Sequence, residues 1–206
     1  MITTTTTVDR FGGWIAGVGT ASGLRLVIGR WVDSPLGAFT DVMLEWRGGH
    51  RLLLAPDGRV AEFVAGTYRF DEVAVVEVSV TVYGDEWHVT AGPLTVTLRI
   101  GRRPPLGWLL RAVPPTLATA PGWIACVDVI ARRVLPGVRT RGSAGSGREE
   151  LYAALDLRRI RGAQVHWHGA DQGALAPVAP PLRFGFGSTP RTPALVRAVT
   201  LVRTRR

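Results

Sequence analysis

The chain contains no lysine: all 25 of its Lys and Arg positions are arginine. Without a side-chain amine it cannot form the lysine imine that activates carbonyl substrates. Cysteine is almost as scarce. Cys126 stands alone, which excludes a disulfide framework and a cysteine-based zinc site, and in its apolar setting it reads as a small core residue. Long hydrophobic runs are missing too. The most apolar stretch, residues 106–130, is broken by Arg111, Pro114, Pro115, Pro121 and Asp128, so no membrane span is expected. The threonine-rich start lacks the basic and apolar regions of a signal peptide, and a cytoplasmic, reduced setting is the default expectation.

What the chain does contain argues for one folded domain. It has 206 residues, 46% hydrophobic and 20% charged, a globular balance with ample material for a core. The 25 Gly and 14 Pro favour short strands and turns over long helices. The net charge of +9 raises nucleic acid as a partner. The arginines, however, are scattered, in no run longer than doublets such as Arg102-Arg103, Arg132-Arg133 and Arg158-Arg159, so nucleic acid is not the expected partner.

Residues 1–22 read as a loose N-terminal arm and residues 23–206 as a single β domain. Strands are expected at 24–32, 38–47, 51–55, 73–83, 86–91 and 94–100, from period-two alternation such as Val76, Val78, Val80 and Val82. Gly84-Asp85 is a two-residue hairpin signal. A short helix is expected at 59–68, and a helical insertion at about 102–136, with helices at 106–113 and 122–135. Further strands fall at 151–157, 163–168, 182–187 and 194–203. The expected class is α+β, dominated by a mainly antiparallel closed β-barrel, which hides its own edges and often holds one small ligand.

Charges on apolar strand faces are the candidate site residues, because an unpaired buried charge is costly. Arg30 follows Leu24, Leu26 and Ile28 in phase; Asp41 and Glu45 share a face with Phe39 and Met43; Arg99 breaks the Thr95, Thr97 face. Arg30 and Asp41 flank the turn at residues 34–37, so they are expected to meet as a buried ion pair that binds an anion. His166 and His168, two apart, are a minor alternative as a metal pair. No cupin-type Glu and second His complete the set, and the favoured expectation is no metal and no cofactor. The Gly, Ser and Arg loop at 139–150 does not match Walker spacing and reads as a surface segment.

Two stretches resemble the acetoacetate decarboxylase family. The first is Ser34-Pro35-Leu36-Gly37-Ala38-Phe39-Thr40-Asp41, preceded by an apolar strand and Asp33; the family's segment is typically Ser-Gly-Leu-Gly, a small residue, Tyr, a polar residue and Glu. The second, residues 151–169, resembles the family's late strand pair, which ends in a Trp and Gly turn, and residues 174–178 fit the segment after it. The resemblance implies a closed barrel or cone with a buried cavity for a small anionic, keto-acid-like molecule. It places the family's acid on Asp41 and its aromatic on Phe39. The Schiff-base lysine falls on no residue. The expected function is therefore a divergent lyase or isomerase with Asp41 as acid/base and Arg30, Phe39, Glu45, Arg99 and Tyr152 around the ligand. The alternative is a non-catalytic binding or structural barrel protein. Assembly into a homo-oligomer is left open.

Overall fold

In the computed structural model, which describes residues 6–120, 122, 141–143, 148–185 and 189–205, the expected arm is the middle of the sheet. Strand β1 (Thr6–Thr20) pairs with β2 (Arg25–Asp33) on one side and β13 (Ala194–Arg205) on the other. Its glycines read as breakers in sequence. In the fold they sit where neighbours crowd the strand: a Cβ on Gly13 would run into the Arg30 backbone, and one on Gly19 into that of Pro177.

From β2 the chain continues through β3 (Phe39–Glu45) and β4 (Arg51–Ala55) into α1 (Gly58–Ala65). The Asp57 side chain caps α1 by accepting the Val60 amide at 2.9 Å. This helix is the crossover that lets β5 (Glu72–Val75) return parallel to β4. The expected strand at 73–83 is therefore two: β5, then β6 (Val78–Tyr83) at the other end of the sheet. β6 turns through Gly84-Asp85 into β7 (Glu86–Ala91), which pairs with β8 (Leu94–Ile100). Helices α2 (Pro105–Ala112) and α3 (Pro115–Ala118) occupy the described part of the insertion; the helix expected at 122–135, with Cys126, lies outside the described residues apart from position 122.

The short strand β9 (Arg141–Ser143) precedes β10 (Arg148–Trp167), a single strand of 20 residues where two were expected. Irregularities at Ala154/Asp156 and Ile160/Gly162 bend β10, so its first half pairs with β13 and its second half with β8. Two-residue strands β11 (Ala170–Asp171) and β12 (Leu175–Ala176) follow. No strand forms over the described part of 182–187.

The sheet runs β5-β4-β3-β2-β1-β13-β10-β8-β7-β6. It is an open curled sheet of mixed direction, which corrects the closed barrel. Its end strands β5 and β6 do not pair; only the chain at Val76 and Glu77 bridges them. There the Val76 amide donates to Ala55, and the Glu77 carbonyl accepts from Gly92. Strands from both ends of the path bury side chains in one cluster: Leu52 and Leu54 of β4 meet Trp87 and Val89 of β7, with Ile28, Val42, Leu98 and Val165 between them. That face is the inside of the curl, and it is packed with apolar side chains. Each contributes roughly 1.5–3 kcal/mol by burial. The outer face is covered in part by α1, which packs Val60, Ala61 and Val64 on Leu53. A second patch of it, around Tyr152 and Leu157, is covered by Leu106 and Leu110 of α2.

Candidate functional site

The cavity lies on the outer face, not within the curl. Its floor is made by odd-numbered residues of β2 and β3, among them Val27, Trp31, Phe39 and Asp41, with Phe11 of β1, Glu150 of β10 and Thr200 of β13. Its cover is the end of α1, the Thr67-Tyr68 segment, Pro181, Leu182 and Phe184. The space open to water centres is about 80 Å³. One water needs roughly 10–15 Å³ of such space, so the cavity admits a few waters or one compact organic molecule.

Asp41 is 1% exposed. Its Oδ1 accepts the Trp31 indole N–H at 3.0 Å, while Oδ2, equally buried, has no partner. Burial pushes this carboxyl from 3.8 up to about 7, although the Trp31 bond opposes the shift. The residue opposite Asp41 in register is Gly29, and a Cβ there would lie 2.6 Å from Oδ1 and 2.8 Å from the Trp31 Nε1. The glycine therefore leaves room for the indole to reach across the strand.

Glu150 is the second acid. The Tyr68 hydroxyl donates to its carboxylate, at 2.7 and 2.8 Å from the two oxygens. Burial again dominates and raises Glu150 from 4.5 to about 7, with the Tyr68 bond acting the other way. Burial, and then the Glu150 charge, hold the Tyr68 phenol well above its ordinary value. The Thr200 hydroxyl is buried without a partner. Two carboxyls that change charge near neutrality, one with a vacant oxygen, can give or take a proton within an aromatic-walled space.

Of the six residues expected from sequence, Asp41 and Phe39 line this cavity. Tyr152 is buried beside it, opposite Thr200 in register, and its phenol is raised first by burial and then by Glu150. Arg30 is elsewhere, and the expected Arg30–Asp41 pair does not form. Arg30 faces Thr40 and Asp41 faces Gly29, so the two side chains leave opposite faces of the sheet. Arg30 is half-buried, with its guanidinium 5.6 Å from the Trp87 ring centroid. Arg99 is exposed on β8.

A buried arginine–carboxylate pair does join β2 and β3, at the other end of their pairing. Arg25 faces Glu45 at 3.2 Å, and both are fully buried. Arg25 also donates to the carbonyls of Pro180 and Trp46. Glu45 in turn accepts the Arg183 amide at 2.7 Å and its Nε at 2.9 Å. Glu45 thus anchors the 180–183 segment that covers the cavity instead of touching its contents. Two of the arginine doublets named from sequence each contribute an ion pair: Arg103 with Asp156 at 2.8 Å and Arg158 with Asp85 at 2.8 Å. His166 and His168 do not share a strand face, because β10 ends at Trp167 and His168 sits in the turn at φ 48°. Among the described residues, no group of three or more His, Cys, Asp or Glu could hold a metal ion. None of their helices is long and apolar enough to cross a membrane.

Sequence reasoning missed Glu150, Tyr68, Trp31 and Thr200. Glu150 had one usable signal: it falls in phase with Tyr152 at the start of an otherwise apolar run.

No family model matches the chain, and no curated protein matches it. Among solved structures it is similar to an acetoacetate decarboxylase from Legionella pneumophila, at 11% identity and a TM-score of 0.44, over 100% of this chain and 89% of that one. It is also similar to a second acetoacetate decarboxylase structure, at 9% identity and a TM-score of 0.35, over 97% and 86% of the two chains.

Proposed function

We propose that the protein binds a compact organic molecule on the outer face of its curled sheet, and that Asp41 exchanges a proton with it. The observation that carries this reading is the Asp41 carboxyl, which lines a cavity with one buried oxygen unpartnered. Such an oxygen is costly to keep unless something occupies the space beside it. The Trp31 bond fixes the other oxygen and so orients the vacant one. A carboxyl near pH 7 is suited to moving a proton next to a carbonyl, the acid/base role expected from sequence. The reaction class is proton abstraction or return at carbon, as in a lyase or isomerase, with no imine step. No arginine is among the described residues of the wall, so nothing in it favours the carboxylate of the keto-acid-like ligand expected from sequence.

The second reading, binding without catalysis, is favoured by the filled inside of the curl, where a barrel enzyme would hold its substrate. Butanone in deuterated water separates the two, with proton exchange beside the carbonyl followed by NMR. The enzyme reading expects saturable exchange that falls by at least about 100-fold in Asp41→Asn. Saturable binding with equal exchange in both proteins would favour the binding reading. Absence of saturable binding by any small probe would reject the pocket.

A further inference from the structure

The cavity wall holds two acids and no base. Asp41 and Glu150 line it, and no arginine or histidine is among its described residues. The chain has no lysine to supply a cation from elsewhere. The nearest buried arginine in the strand pair, Arg25, is committed to Glu45 and to backbone carbonyls. Buried carboxylates ordinarily keep a counter-charge, because desolvating them alone is expensive.

The rest of the wall is also of one kind. The rings of Phe11, Trp31, Phe39, Phe63 and Phe184 line the space, and aromatic faces attract cations. The Thr200 hydroxyl, buried without a partner, can accept an N–H. We propose that the occupant of this pocket is a small organic ammonium ion, which supplies the positive charge the wall lacks. Its N–H groups meet Asp41 Oδ2 and Thr200 Oγ1, and its hydrocarbon part lies among the rings. The size of the cavity confines the occupant to a compact amine and excludes an extended polyamine. This inference rests on the pocket being a ligand site, and it adds the sign of the ligand's charge.

Three probes with one branched skeleton test it: isobutylammonium, isobutanol and isobutyrate, titrated calorimetrically into the intact protein at pH 8. The ammonium is expected to bind at least about tenfold tighter than the alcohol, with the carboxylate weakest. Asp41→Asn keeps an acceptor for Trp31 and should remove the preference for ammonium while retaining alcohol binding. Glu150→Gln should weaken the preference, and Glu72→Gln, at an exposed acid, should leave it unchanged. Alcohol or carboxylate binding as tightly as ammonium would overturn the cation inference and leave the pocket standing. Failure of all three to bind would overturn both.

Discussion

Arg25 and Arg30 stand five residues apart on one strand, and their neighbours give them opposite energetic roles. Arg25 is sealed against Glu45, so Arg25→Met leaves a buried carboxylate with only the largely exposed Arg183 as partner. A loss of about 3 kcal/mol is expected. Arg30 has a ring beneath it and solvent beside it, so Arg30→Met should cost no more than about 1 kcal/mol. Denaturant melts of the two variants decide this, and a larger loss for Arg30→Met would contradict the register. The two cavity acids make stability depend on pH. Their folded values, about 7, lie above 3.8 for Asp41 and 4.5 for Glu150 in ordinary surroundings. Their contribution is therefore fully present below about pH 4 and is lost as pH rises through 7. The unliganded protein should lose on the order of 2–4 kcal/mol per acid between pH 5 and 8, and Asp41→Asn should flatten its share. Melting temperatures across that range give the readout.

At the scale of elements, sequence pattern was informative wherever one face of a strand is apolar and the other polar. The limits of β7 and β8, whose burial alternates, fall at Glu86–Ala91 and Leu94–Ile100 as expected, and the β6–β7 turn falls on Gly84-Asp85. Pattern failed where the physics was not local. A Cβ on Gly13, Gly17 or Gly19 of β1 would run into the Arg30 backbone, the Thr189 side chain or the Pro177 backbone, and such crowding by distant chain is invisible in a linear reading. The split of 73–83 into β5 and β6 depends on the partners of each half, not on its own residues. Removing residues 1–20 tests the position of β1. As the strand between β2 and β13, it should be indispensable, and the shortened chain should show neither a cooperative melt nor native strand signal by circular dichroism. A shortened chain that melts like the full one would mean that the segment is an arm after all.

On the scale of the whole molecule, the sheet uses its two faces differently. The inside of the curl is filled by side chains from strands far apart in sequence, and the outer face is left to carry an acid-lined cavity. Half of that division was legible beforehand. Asp41, Phe39 and Met43 were correctly grouped on one face, and Arg30 with Leu26 and Ile28 on another. The error lay in joining the two faces across the turn: positions 30 and 41 differ in parity, and antiparallel partners here are 30 with 40 and 29 with 41. The contact between Glu150 and Tyr68 was out of reach because it depends on β10 and the end of α1 converging across 82 positions. The central claim is that Asp41 is a buried, ligand-ready carboxyl, and its hydrogen bond from Trp31 offers a direct report. The indole N–H resonance of Trp31, assigned through Trp31→Phe, should titrate with a midpoint at about pH 7. It should lose that titration in Asp41→Asn, and isobutylammonium should shift it saturably at pH 8. A resonance that stays flat from pH 5 to 9, and that the ammonium does not move, would contradict the account.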